Sequence, residues 1–180
     1  HSINVALLSM LLGKWLKYDY FRLKSLVTSA FLHDIGKSRI PPEILNKPGS
    51  LDENEFEEIK KHCIIGYKLA ESFTGMNEDI LAGILQHHER EDGSGYPFGL
   101  TGDRINETAK IIAVADIYDA MTSNRFYRER ACPFEVIGYI EKEHIGTLDH
   151  RIASTFLKNI ASYYIGEHVI LSSGEAGEIV

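Results

Sequence analysis

Cysteine is scarce. The 180-residue chain has two, Cys63 and Cys132, far apart and in no CxxC pair. Neither a disulfide framework nor a zinc knuckle can be built from them, and they read as thiols of a reducing cytoplasm. Positive charge is also short: 19 Lys and Arg stand against 26 Asp and Glu, a net charge of −7. That balance excludes a broad electrostatic grip on a nucleic acid polymer, although a few local cations can still hold a small phosphate-bearing ligand. No apolar run approaches the roughly 20 residues of a membrane-spanning helix, so no membrane segment is expected. There is no internal repeat and no low-complexity stretch. The chain opens on His1 rather than Met, in mid-pattern, and is expected to be a piece of a longer protein.

What is present is a 44% hydrophobic composition, enough for one globular domain over 1–180 with a substantial core. Residues 3–16 predict a helix that is apolar around most of its circumference and therefore largely buried. A second helix is expected from about Arg22 to Asp34, with Leu23, Leu26, Val27, Ala30 and Phe31 as its inward stripe. Pro41-Pro42 and Lys47-Pro48-Gly49 mark a connecting loop. Asp52 with Glu55 forms a capping box at the start of a helix that turns Phe56, Ile59, Cys63, Tyr67 and Ala70 inward. Asn77 caps a short helix carrying Ile80, Leu81, Ile84 and Leu85. From Asn106 another helix contains Ala109, Ile112, Ala113, Asp116 and Ala120. Two amphipathic helices over 133–163 follow, then a small hairpin around Ser172-Ser173-Gly174. The expected fold is all-α with a marginal β tail.

Two stretches carry strong metal-binding side chains next to one another: His33-Asp34-Ile35-Gly36-Lys37, and His87-His88 running into Glu89-Arg90-Glu91-Asp92-Gly93-Ser94-Gly95-Tyr96-Pro97. Neighbouring helical positions point about 100° apart, so one small ion rarely takes both; a cluster of ions can. Five of the eight His, at 1, 33, 62, 87 and 88, lie in segments that otherwise read as apolar helices. Asp34 falls on the inward face of its helix, where a carboxylate costs several kcal/mol unless paired, hydrogen-bonded or metal-bound. Asp116 sits among alanines small enough to leave room for an ion. Each has a blander reading: His62 as a hydrogen-bonded core histidine, His1 as the remnant of an expression tag. For Asp119, one turn past Asp116, a helix–helix hydrogen-bonding role is preferred, and Arg130 reads as a solvated charge.

Together His1, His33, His62, His87, His88, Asp34 and Asp116 offer nitrogen and oxygen donors and no thiolate, which suits iron, manganese or zinc. Seven ligands are too many for one tetrahedral ion. They fit two six-coordinate ions that share a carboxylate and a solvent molecule. Two ions about 3.5–4 Å apart clamp the attacking and leaving oxygens of an in-line displacement at phosphorus. They also make hydroxide available at neutral pH. Lys37, one turn past His33-Asp34, can reach a phosphoryl oxygen as a point charge. The reaction class is metal-assisted phosphoester hydrolysis.

These two stretches resemble the HD-GYP domain, a branch of the HD phosphohydrolases. The likeness extends to Ile40-Pro41-Pro42-Glu43-Ile44-Leu45, to His62 with Gly66-Tyr67, to Asp116-Ile117-Tyr118-Asp119-Ala120-Met121-Thr122-Ser123 and to Gly166-Glu167-His168-Val169-Ile170-Leu171. The resemblance implies an HD-type helical bundle holding two, in some members three, divalent ions, with iron or manganese favoured. It implies hydrolysis of cyclic di-GMP to linear pGpG and, in many members, on to GMP. It makes His1, His33, Asp34 and Asp116 the ligands of one ion, and Asp34 with His62, His87 and His88 those of the other. Lys37, Arg125 and Arg128 match positions that contact substrate phosphates. Gly95-Tyr96-Pro97 matches a loop that contacts partner diguanylate cyclase domains, and a homodimer is a further expectation. The chain departs from the family at Ser123-Asn124-Arg125-Phe126-Tyr127-Arg128, where Ser-Asp-Arg-Pro-Tyr-Arg is usual. The competing readings are a receptor that binds the dinucleotide without turnover, and a hydrolase of another cyclic dinucleotide or nucleotide.

Overall fold

Short polar side chains define where the helices begin. Asp19 accepts the main-chain N–H groups of Phe21 and Arg22, Asn77 that of Ile80, Asn106 that of Thr108 and Asp149 that of Ile152. Asp52 and Glu55 exchange hydrogen bonds as a full capping box. Each such cap is worth about 1 kcal/mol, because it satisfies amide donors that the helix itself leaves unpaired. The structure, a computed structural model, describes residues 1–123, 132–143, 146–170 and 173–179. Arg125, Arg128 and Arg130 therefore lie outside the described residues.

In chain order the helices are α1 (Ser2–Trp15), α2 (Tyr20–Leu32), α3 (Pro42–Leu45), α4 (Glu53–Lys60), α5 (His62–Glu71), α6 (Glu78–Gln86), α7 (Glu107–Thr122), α8 (Pro133–Glu143) and α9 (His150–Ala161). A 3-10 turn at Ile35–Arg39 follows α2, and a two-stranded antiparallel hairpin, β1 (His168–Ile170) with β2 (Ala176–Glu178), closes the chain. The fold is all-α with a small C-terminal hairpin, as the sequence leads one to expect. Helix α7 is the centre. It is apolar on nearly every side and packs against α1, α2, α6, α8 and α9. Val5, Leu12, Leu26, Ile111, Ile112, Val114, Ile152 and Phe156 are wholly buried around it. A second, smaller core of Ala70, Ile80 and Ile84 lies between α5 and α6. Among the described residues no helix is long and apolar enough to cross a membrane.

Four local expectations are corrected. Helix α1 is not largely buried: Ile3 and Leu7 are 65% and 52% exposed, because its neighbours cover only one side of it. The inward face of α2 is Ser25, Leu26, Ser29 and Ala30, while Phe31 is 53% exposed. The close neighbour α6 selects small residues over the apolar stripe. Finally, α2 stops at Leu32 rather than Asp34, and the helix expected through Phe56 and Ala70 breaks at Lys61 into α4 and α5.

Candidate metal centre

Helices α2 and α6 run parallel in tight contact. Asn77 Nδ2 donates to Ser25 Oγ (2.7 Å), and four residues on Ser29 Oγ donates to the Ile80 carbonyl (2.8 Å). A Cβ on Gly83 would lie 2.1 Å from Ser29 Oγ, so only glycine permits this approach. The register delivers the residues just past each helix, His33 and His87, to one level, with ring centroids 5.0 Å apart. A second glycine contact adds His62. A Cβ on Gly36 would meet the His62 carbonyl oxygen at 1.9 Å and Gly66 N at 2.6 Å, so the 3-10 turn lies directly on the start of α5. We expect Gly36→Ala to force that turn away from α5 and to lose about 3 kcal/mol of stability, the upper range for overpacking against backbone. Urea denaturation checks it, and an unchanged midpoint would contradict the contact.

The buried imidazoles share one orientation. His33, His62 and His87 each donate Nδ1–H to the carbonyl three residues earlier, of Ala30, Ile59 and Ile84, at 2.7, 2.7 and 2.8 Å. A carbonyl only accepts, so the proton sits on Nδ1 and Nε2 presents a lone pair. Those lone pairs converge on Asp34. Its Oδ2 lies 3.4 Å from His33 Nε2 and 3.7 Å from His1 Nε2; its Oδ1 lies 3.4 Å from His62 Nε2 and 3.9 Å from His87 Nε2. One carboxylate thus turns one oxygen to each of two donor groups, His1-His33-Asp34 and Asp34-His62-His87-His88. Asp116 borders the first, its Oδ1 3.0 Å from His1 Nε2 and 4.0 Å from His33 Nε2.

Burial pushes Asp34 upward, but the Lys37 ammonium, 2.6 Å from Oδ2, helps to offset it, and the carboxyl is held far below the usual range. Asp116 is likewise disfavoured by burial, yet the hydrogen bond from His1 and the nearby imidazoles bring it down to about 2. Burial lowers His62 and His87, and takes His88 to about 3, so these rings are neutral at pH 7. Neutral imidazole and ionised carboxylate are the metal-binding forms. Cys63, whose Sγ is 3.5 Å from His62 Nε2, is pushed up to about 12 by burial and stays a thiol.

A divalent cation fits this arrangement. His62 Nε2 and His87 Nε2 are 3.3 Å apart, two acceptors facing each other with no proton between them. Among the described residues, buried His33 Nε2 and Asp34 Oδ1 meet no hydrogen-bond partner. Such atoms are expensive unless something electropositive occupies the space they share.

The HD domain family model matches residues 4–152. The chain belongs to the HD domain family. It is similar to the cyclic di-GMP phosphodiesterase PA4108 of Pseudomonas aeruginosa, 35% identical over 180 residues, which is 100% of this chain and 43% of that protein. It is also similar to the 3'3'-cGAMP-specific phosphodiesterase 1 of Vibrio cholerae, 37% identical over 165 residues, 91% of this chain and 38% of that one. The chain thus spans less than half the length of these relatives. Among solved structures, Bd1817, an HDG"Y"P protein from Bdellovibrio bacteriovorus, shares the fold at TM-score 0.73 and 23% identity over 89% of this chain and 51% of that one.

Around the cluster of this HD domain stand residues of three kinds. Lys37 Nζ is 2.6 Å from Asp34 Oδ2 and one-third exposed, so its ammonium sits at the rim of the donor cluster. Asp119 is the hydrogen-bonding group the sequence suggests: it accepts His1 Nδ1–H at 2.6 Å, Asn4 Nδ2–H at 2.9 Å and the Ser123 hydroxyl at 2.8 Å. Its partner His1 is raised by the hydrogen bond to Asp116, with burial opposing. Glu89 and Arg90 were passed over by sequence reasoning. Glu89 is 3% exposed and accepts from Phe98 N and Leu100 N, and Arg90 donates to the carbonyls of His87 and Glu89. Their place directly after His87-His88 was the available signal.

Proposed function

We propose that the chain is a metal-dependent phosphodiesterase that hydrolyses cyclic di-GMP to linear pGpG. The observation that carries this reading is Asp34, one oxygen toward His1 and His33 and the other toward His62 and His87, in a chain of the HD domain family. His1, His33, Asp34 and Asp116 would hold one ion and Asp34, His62, His87 and His88 the other, with iron or manganese favoured by the all-N/O donor set. Bound there, divalent ions supply a Lewis acid for the phosphoryl oxygen and a lowered pKa for attacking water. Asp119 keeps His1 turned toward Asp116 and Asp34. Lys37 at the rim meets the phosphoryl oxygen as charge builds on it. The free thiols of Cys63 and Cys132 support a cytoplasmic site of action. A homodimer, and a diguanylate cyclase domain docking at Gly95-Tyr96-Pro97, are further parts of this reading.

Product analysis tests it. Protein loaded anaerobically with Fe(II), alongside Mn(II)-loaded protein, should convert cyclic di-GMP to pGpG. Binding without turnover under either metal would instead make it a receptor. A specific observation favours 3'3'-cGAMP as the alternative substrate, because two relatives are named for that dinucleotide; a competition assay with both decides between them.

Arg125 and Arg128 are assigned to the second phosphate, which a mononucleotide lacks. Arg125→Ala should weaken cyclic di-GMP binding by about 1.5–3 kcal/mol, as for a charged hydrogen bond, with metal content unchanged. Equal binding by calorimetry would return both arginines to the solvated surface.

A further inference from the structure

His88 is held differently from the other histidines of its group. His33, His62 and His87 are each fixed by an Nδ1–H hydrogen bond to a carbonyl, whereas among the described residues no carbonyl or carboxylate accepts from the His88 ring. Two rings lie against it instead. The His87 centroid is 4.2 Å away at 44°, and the Tyr96 centroid 4.6 Å away at 30°. His62 meets it edge-on at 5.2 Å.

Tyr96 reaches this position because the loop after His88 doubles back. Tyr96 N donates to the His88 carbonyl at 3.2 Å, and a Cβ on Gly95 would sit 2.4 Å from that same oxygen. Buried Glu89, next in sequence to His88, accepts the amides of Phe98 and Leu100 at 2.8 and 2.9 Å. A carboxylate in that position is costly unless hydrogen-bonded, so its two amide donors both stabilise it and pull residues 98–100 onto the histidine pair.

We propose that Glu89 and Tyr96 are the positioning residues of His88: the Tyr96 ring takes the place of the missing hydrogen bond, and Glu89 locks the loop that carries the ring. This rests on the metal-centre reading above. Its consequence is asymmetry within the cluster. The His62-His87-His88 side depends on the packing of loop 89–100, while the His1-His33-Asp116 side does not.

The test uses Tyr96→Phe, Tyr96→Ala and Glu89→Gln with two readouts. The first is histidine side-chain NMR without added metal, which reports whether the His88 ring is fixed or averaging. The second is Mn(II) titration. Tyr96→Phe keeps the ring and should leave His88 fixed and both ions bound within a few-fold of the parent. Tyr96→Ala and Glu89→Gln should mobilise His88 and weaken one ion per chain by about 10- to 100-fold, the usual scale for lost support of a ligand. The other ion should be unaffected. The proposal is overturned if His88 stays fixed in Tyr96→Ala, or if Tyr96→Phe weakens the ion as much as Tyr96→Ala does, since the hydroxyl would then be responsible. If Glu89→Gln does not fold, the Tyr96 pair decides. A parent that takes up no Mn(II) overturns the metal-centre reading alone, and the NMR signals then decide the orientation of His88 by themselves.

Discussion

Replacing Asp34 with Ala should remove at least one of two bound ions and abolish phosphodiester hydrolysis, while the helical fold persists. The expectation comes from the two oxygens of this side chain, which face opposite halves of the donor cluster. No other carboxylate spans both: Asp116 reaches only His1 and His33 among the described residues. Without the bridge, His62, His87 and His88 are three neutral imidazoles with no charge to offset a divalent cation. The fold does not depend on Asp34 in the same way. Its Oδ2 accepts from Lys37 while its buried Oδ1 has no hydrogen-bond partner, so without metal the gain at one oxygen is set against the cost at the other. Thermal unfolding without metal should therefore differ little between Asp34→Ala and the parent, whereas added Mn(II) should raise the midpoint of the parent more than that of the variant. Two ions per chain with normal turnover in the variant would sink the assignment.

The second large effect falls on Lys37 and separates an enzyme from a receptor. Its ammonium contacts Asp34 Oδ2 from the rim of the cluster without taking the place of any donor. An interaction that strengthens as negative charge builds on the phosphoryl group belongs mainly to the transition state, so its loss appears in kcat rather than in ligand affinity. Lys37→Ala is expected to keep both ions and to bind cyclic di-GMP within a few-fold of the parent. Turnover should drop by roughly 10²–10³, the scale for one removed transition-state donor. Metal uptake can only be helped by removing a cation that competes for the same carboxylate oxygen. Normal turnover in the variant makes Lys37 an ordinary solvated lysine. Unchanged kcat with a raised KM would place it in ground-state binding.

The sequence by itself determined what depends on neighbours along the chain. Asp52, Asn77 and Asn106 are legible as helix starts because a cap acts on amides two or three residues away. The all-α class follows from periodic apolar positions, and the hairpin at 168–178 from alternation about a turn. His33-Asp34 and His87-His88 stand out because adjacent donors have few other uses. The tertiary structure decided what depends on close approach. Ser29 against Gly83 and Gly36 against His62 set the distances between helix ends, and nothing in the sequence tells such a glycine from one in a turn, such as Gly93. Those contacts, not the apolar stripe, put Ser25 and Ser29 inside and left Phe31 outside. They also set Asp34 between two groups of imidazoles, while the packing of α1 against α7 carried His1 to Asp119, 118 residues away. Glu89 escaped for the same reason: its burial is created by amides 9 and 11 residues on, in a loop whose path no local pattern encodes. Hydrophobic patterning records how each segment meets its surroundings, whereas the site is a meeting of segment ends, governed by the few positions where two backbones touch.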